Sequence, residues 1–282
     1  MNHPRLIATD LDGTLLRRGG ILSERTLRAL HGAVDAGAEV VLVTARPPRF
    51  VDMLAAATDM VGTAVCSNGA LVYDIASRTV IETRSLPVPA ARQVATALSD
   101  ATPGLGFAVE TGHQVLYEPG FGLRFPGGAD TEVAVASLLD LWLTDVPITK
   151  LLAWSAQLDA DYLLALAEAS AGGVAQFTHS GGQGLLEISA PGVSKAGTLS
   201  ALCAARGIDS SEVVAFGDMP NDLTILQWAG TGYAMANAHP TVLSAVPRHT
   251  ASNEDDGVAL VLEQLFNESP NDRRTRSRSH DR

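Results

Sequence analysis

A short apolar run that breaks into two aspartates constrains this chain more than any other feature. Leu6, Ile7 and Ala8 suffice for a buried strand that stops at Thr9. Asp10, Leu11, Asp12, Gly13 and the hydroxyl of Thr14 follow at once. Residues at i and i+2 of an extended chain share a face, so Asp10 and Asp12 are expected to address one point at the strand's carboxyl end. Open α/β sheets bind ligands at that edge. Gly13 lets the backbone turn sharply and approach an anion closely. A strand ending in an Asx turn is the plainer reading of a bare Asp-x-Asp. The longer string Asp10-Leu-Asp-Gly-Thr-Leu15 after an apolar run is far more specific.

Downstream, strands and helices alternate. Ser23 is a plausible N-cap for a helix to Ala36, with Gly37 as its stop. Glu39 to Val43 reads as a second buried strand, ending at Thr44, Ala45 and Arg46, and Pro47-Pro48 opens a helix. A third strand, Ala64 to Cys66, ends at Ser67, Asn68 and Gly69. Leu71 to Asp74 and Thr79 to Thr83 read as a hairpin. This alternation predicts an α/β fold with a doubly wound, Rossmann-like parallel sheet.

The texture changes at Leu86-Pro-Val-Pro89. Helices are predicted over 90–98, 131–141 and 162–170. Strands are predicted near 107–110, 114–118, 148–154, 174–178 and 185–188, with a Gly/Pro-rich loop over 118–128. Strand clusters interrupted by helices suggest an α+β layer with helices on one face. Residues 87–187 are therefore expected to form an inserted cap domain, and 1–86 with 188–269 the core. The first texture returns with Ser194 capping a helix from Lys195 to Arg206, and a strand from Glu212 to Phe216. That strand ends at Gly217-Asp-Met-Pro-Asn-Asp222, where a helix starts. Tyr233 to Ala236 reads as a strand and Val258 to Phe266 as a final helix. The Arg/Ser-rich stretch 270–282 is expected to be a disordered tail.

Taken singly, the remaining polar patches are ordinary. Thr44 suits a helix entry, Lys195 a solvated surface, and Asp218 and Asp222 a helix start, where the dipole favours carboxylates. Taken together and in order with Asp10, Asp12 and Thr14, they resemble the four motifs of the haloacid dehalogenase superfamily phosphatases. Ser67-Asn-Gly-Ala70, Met235-Ala-Asn-Ala238 and Asn253-Glu-Asp-Asp-Gly-Val258 extend the likeness to the Cof-like branch, subclass IIB, whose α/β cap lies between the second and third motifs. Ala45 and Met219 depart from it, standing where relatives usually carry Gly and Asn.

That resemblance implies a phosphatase of small phosphate monoesters, such as sugar phosphates or phosphorylated metabolites. Asp10 is implied as nucleophile through an aspartyl-phosphate, and Asp12 as general acid and base. Thr44 and Lys195 are implied to bind phosphoryl oxygens, aided by Asn221; Thr14, Arg46, Asn68 and Gly69 complete the implied substrate contacts. Mg²⁺ is the implied cofactor, held by Asp10, the Asp12 carbonyl and Asp218 with support from Asp222. A phosphotransferase or mutase of the same fold, and a non-catalytic phospho-acceptor module, are the competing readings. Substrate discrimination is expected in the cap, where His113, Arg124 and His179 stand in loops or at strand ends.

Charge and composition bound the partners. The formal charge is −11 over 282 residues. The tail holds five Arg and two Asp, or +3, leaving −14 for the body (−11 minus +3). A body that acidic argues against a nucleic-acid surface. No apolar run reaches transmembrane length, and the strand at Leu6 is expected to leave no room for a signal peptide. Two cysteines, Cys66 and Cys203, make a disulfide framework implausible and a cytoplasmic setting the expectation. Oligomeric state is not written in the sequence.

Overall fold

The computed structural model describes residues 3–58, 60, 62–123, 131–181 and 184–267. In chain order it contains β1 (Leu6–Thr9), α1 (Glu24–Asp35), β2 (Glu39–Val43), α2 (Pro48–Thr58), β3 (Thr63–Cys66), β4 (Leu71–Asp74) and β5 (Thr79–Thr83). Then come α3 (Val88–Ala101), β6 (Gly106–Glu110), β7 (Val115–Tyr117), β8 (Glu132–Ala134), β9 (Lys150–Trp154), α4 (Ala160–Ala171), β10 (Gln176–Thr178) and β11 (Leu185–Ser189). The last third holds α5 (Lys195–Ala205), β12 (Val213–Gly217), α6 (Leu223–Trp228), β13 (Thr231–Met235), α7 (Pro240–Ala245), β14 (His249–Thr250) and α8 (Gly257–Asn267). Among the described residues no helix is long and apolar enough to cross a membrane.

Two compact units emerge: Met1–Leu42, Leu202–Asp218 and Ile225–Arg282 in the first, Val43–Ala201 and Met219–Thr224 in the second. In the first, five strands lie in the order β14-β13-β12-β1-β2, and every pairing is parallel. Leu6, Ile7 and Ala8 are wholly buried, as expected of strands covered on both faces. Helix α1 starts where Ser23 accepts a bond from the Thr26 amide, and Gly37, at φ +91°, lets the chain leave it.

Asp256 ties the opening of α1 to that of α8. Its carboxylate accepts from Arg17 at 2.7 and 3.1 Å, from Ser23 at 2.7 Å and from Thr26 at 3.4 Å. Burial pushes this carboxyl up, but the Ser23 hydroxyl and the Arg17 guanidinium outweigh it and hold it below the usual range. Asp256→Ala is expected to cost about 2 kcal/mol in denaturant unfolding at neutral pH, the scale of hydrogen bonds to a charged group. Because the folded-state value is lowered, this stabilisation is complete above the unfolded carboxyl's pKa, near ~3.9. It is lost as pH falls through the lower folded value, so wild type and variant should converge in acid.

In the second unit β3, β4 and β5 run antiparallel in sequence. A six-stranded sheet has the order β10-β11-β9-β6-β7-β8. Strand alternation sends Phe107, Val109, Leu151, Ala153, Leu186 and Ile188 into one core with Val94 and Leu98 of α3 and Leu163 and Ala167 of α4. The opposite face carries Ala108, Leu152 and Trp154 and also the charged side chains of this sheet. Residues 106–189 supply all six strands and lie wholly in this unit, together with 43–86.

One predicted helix is corrected. Residues 131–141 form strand β8 and a 3-10 turn, Leu138–Leu143. The β-branched alternation of Thr131, Val133 and Val135 pairs in parallel with β7, and Ser137, in extended backbone, breaks the segment before the turn. Helix α7 and strand β14 went unpredicted. Both are very short, and β14 is defined by its pairing with β13. The stretch 270–282 lies outside the described residues.

Candidate active site

The first unit presents its carboxylates at the carboxyl ends of two neighbouring strands. Thr9, the last residue of β1, pairs with Phe216, and β12 runs one residue further to Gly217, so Asp10 and Asp218 each leave the end of a neighbouring strand. The Asp10 amide continues the ladder to the Phe216 carbonyl at 3.1 Å. Asp10 and Asp218 are buried, whereas Asp12 is exposed. The two aspartates of the motif therefore do not share a strand face. The strand ends at Thr9, and the chain folds over the Leu11 carbonyl, which accepts the amides of Thr14, Leu15 and Leu16. That turn separates a sheltered carboxylate from a solvent-facing one.

Gly13 makes this turn possible. Its φ is +77°, and a Cβ there would overlap the Asp218 carboxylate. Thr14, expected to face substrate, donates its hydroxyl to Asp218 at 2.7 Å. Two asparagines brace the turn from behind: Asn237 donates to the Gly13 carbonyl at 2.8 Å and Asn253 to the Leu16 carbonyl at 2.8 Å. Gly13→Ala is expected to lower kcat by about 10²-fold, since displacements near 1 Å at reacting groups cost that much. The thermal melt should shift only modestly, by the ~1–2 kcal/mol of a left-handed non-glycine residue.

The second unit gathers the other residues. Thr44 is buried, and its Oγ accepts the Arg46 amide at 3.1 Å. Its carbonyl accepts from Asn68 N–H at 3.1 Å, and the Arg46 carbonyl from Ser67 N–H at 3.0 Å. The loops after β2 and β3 are thus stitched together. The Arg46 guanidinium lies 4.9 Å from the Phe50 ring centroid. Gly69, at φ +102°, is backed by the Ser194 carbonyl so closely that any Cβ would collide with it. The buried Lys195 ammonium reaches Asp222 at 2.6 Å. Asn221 donates to Asn68 Oδ1 at 3.1 Å.

Asp10 and Asp218, both in the first unit, each offer a buried carboxylate oxygen, and these atoms lie within 4.8 Å of each other. Two buried anions at that spacing repel unless a cation compensates them. An all-oxygen donor set suits a hard divalent ion such as Mg²⁺.

A sequence model for haloacid dehalogenase-like hydrolases matches residues 7–262. The chain belongs to that family. The hydrolase is 30% identical to the 5-amino-6-(5-phospho-D-ribitylamino)uracil phosphatase YitU of Bacillus subtilis, over 93% of this chain and 98% of that protein. It is 29% identical to the pyridoxal phosphate phosphatase YbhA of Escherichia coli, over 92% and 97%. Among solved structures, the subclass IIB sugar phosphatase BT4131 superposes with a TM-score of 0.78 at 18% identity, covering 93% of this chain and 98% of that one, a likeness of fold. The hydrolase is thus a Cof-like phosphatase.

Of the cap residues considered from sequence, His113 is exposed. His179 is buried, with Nε2 3.1 Å from Asp161 and Nδ1 accepting the Gly181 amide at 3.3 Å. Arg124 lies outside the described residues. Sequence reasoning missed Lys150 and Glu187, a buried pair 2.5 Å apart. Burial pushes the Glu187 carboxyl up, yet Lys150, Ser180 and the nearby Lys195 more than offset this and hold it below the usual range. A signal existed: each is the single charge of a mostly apolar strand, where a buried charge must be paired.

Proposed function

We propose that the hydrolase cleaves small phosphate monoesters in two displacements, with Asp10 as nucleophile and Mg²⁺ as resident cation. The observation that carries this reading is the buried carboxylate pair of Asp10 and Asp218 at the ends of neighbouring strands. Asp10, Asp218 and the Asp12 carbonyl would hold the cation, with Asp222 in support, and it would supply charge neutralisation between an anionic nucleophile and an anionic ester. In the first step an Asp10 oxygen forms a bond to phosphorus as the bond to the leaving oxygen breaks. Asp12, exposed and so able to meet the leaving group, delivers its proton to that oxygen. In the second step Asp12 takes a proton from water, the water oxygen attacks phosphorus, and the bond to Asp10 breaks, releasing phosphate. Lys195 and Thr44 bind phosphoryl oxygens, and Lys195 stabilises the charge that develops in flight. Thr14 orients Asp218 through its 2.7 Å bond.

The substrate class follows the relatives: a phosphorylated sugar or a cofactor-type heterocycle, selected by groups in the 87–187 cap. The cytoplasmic assignment is supported by two free, buried cysteines; burial pushes the Cys203 thiol up to about 11, which leaves it inert.

The test is phosphate release from p-nitrophenyl phosphate, 5-amino-6-(5-phospho-D-ribitylamino)uracil and pyridoxal phosphate. Release should be sustained with Mg²⁺, vanish in excess chelator and return on adding Mg²⁺. Ca²⁺ should support it poorly, because looser coordination mispositions the reactants. Acid-quenched enzyme should carry phosphate on Asp10. Label on Asp10 without sustained release would favour a phosphotransferase or a phospho-acceptor module, and full activity in chelator would remove the metal from the mechanism.

A further inference from the structure

One buried ion pair takes no part in the displacements above, yet three loops of the second unit hang from it. Lys150 on β9 and Glu187 on β11 are 5% and 2% exposed. They project from the sheet face opposite α3 and α4, the face on which Glu110 pairs with Arg49 at 2.8 Å. Removing two charges from water carries a large desolvation penalty, and apolar residues of similar volume often do as well for stability alone. Stability is therefore a weak reason for this pair to exist.

Its hydrogen bonds point elsewhere. The Lys150 ammonium, besides reaching Glu187 at 2.5 Å, donates to the Ala45 carbonyl at 2.8 Å, between Thr44 and Arg46. The same Glu187 oxygen accepts Asn68 Nδ2 at 3.0 Å, and the other accepts the Ser180 hydroxyl at 2.5 Å. Asn68 in turn holds Asn221, the neighbour of the Asp222 that grips Lys195. Ser67 and Asn68 both sit in left-handed backbone, at φ +51° and +57°. Such conformations are unfavourable for residues with a side chain and persist where surrounding contacts over-determine them. Both ends of the Asn68 amide, together with the backbone bonds from Ser67 and Asn68 to Arg46 and Thr44, supply that over-determination.

We propose that Lys150 and Glu187 act as a positioning pair: through Ala45 and Asn68 they set the geometry of the loops that receive the phosphoryl group. This rests on the phosphatase reading above. A pair that merely stabilised the fold would not couple to Asn68 in turnover.

The decisive variant is Lys150→Met with Glu187→Gln, which removes both charges together while leaving an acceptor for Asn68. Its melting temperature should stay within about 5 °C of wild type. Its kcat on p-nitrophenyl phosphate should fall at least tenfold, and its affinity for inorganic phosphate, read by 31P NMR titration, should weaken at least tenfold. Asn68→Ala should cost about tenfold in the wild-type background and less than threefold in the double variant, because the two lesions share one route. Should the double variant not fold, Glu187→Asp keeps both charges and withdraws the carboxylate by one methylene, and the same losses are expected of it. Wild-type kcat and phosphate affinity in these variants, or losses that multiply with Asn68→Ala, would overturn the proposal. If wild-type enzyme released no phosphate from any ester, the phosphatase reading would fall. The phosphate titration would then decide the positioning role by itself, an unchanged affinity overturning it.

Discussion

Asp10→Asn should abolish phosphate release, lowering kcat by about 10⁴-fold or more, while the protein remains folded. The amide is no nucleophile at phosphorus, and when a nucleophile is removed the rest of its apparatus has nothing to activate. Position matters as much as chemistry. Asp10 follows the last residue of β1 and is tied by its amide to β12, so the substitution leaves the backbone ladder untouched. It also removes one of two buried carboxylates, Asp10 and Asp218, whose oxygens lie within 4.8 Å. Without added cation the variant should therefore melt no lower than wild type, since like-charge repulsion is relieved. A circular-dichroism melt beside the phosphate assay reads both expectations. Near wild-type turnover would take the nucleophile's role away from Asp10; a collapse of the melt would show that the Asp10–Asp218 pair is structural.

Lys195→Met should combine a kinetic lesion with a structural one, and the two can be separated. Lys195 is 1% exposed and its partner Asp222 is wholly buried, at 2.6 Å. Removing the ammonium strands a buried carboxylate, which costs about 3–5 kcal/mol in denaturant unfolding. Losing a cation aimed at developing phosphoryl charge costs about 10²–10³-fold in kcat/KM. Adding Asp222→Asn to Lys195→Met should recover much of the stability, because no charge is then left unpaired, without recovering activity. Recovery of both would make Lys195 a structural counter-ion alone. Recovery of neither would mean that the length of the side chain, rather than its charge, holds this corner together.

Some elements were legible because local chemistry decides them. Strand β2 and the β4–β5 hairpin fall on their predicted residues, being runs of β-branched, aliphatic and aromatic residues between clear turn signals. Ser23 and Gly37 bound α1 as caps do. Residues 131–141 were misread because the edge of β7, far back in sequence, turns an ambiguous alternation into a strand. Asp10 and Asp12 were misjudged as sharing a face because the alternation rule holds only while the strand continues, and it stops one residue too soon.

The amino-acid sequence by itself determined the family and the order of its motifs, for these lie in residue types and spacings that survive without any fold. It also marked the strand ends at which those motifs sit, since apolar runs and the turn residues after them are local signals. Tertiary structure alone decided which carboxylates are sheltered, that Thr14 serves Asp218, and that Lys150 and Glu187 meet across strands β9 and β11. Those facts depend on strand register and on partners distant in sequence, and a charged residue carries no local mark of which opposite charge will meet it.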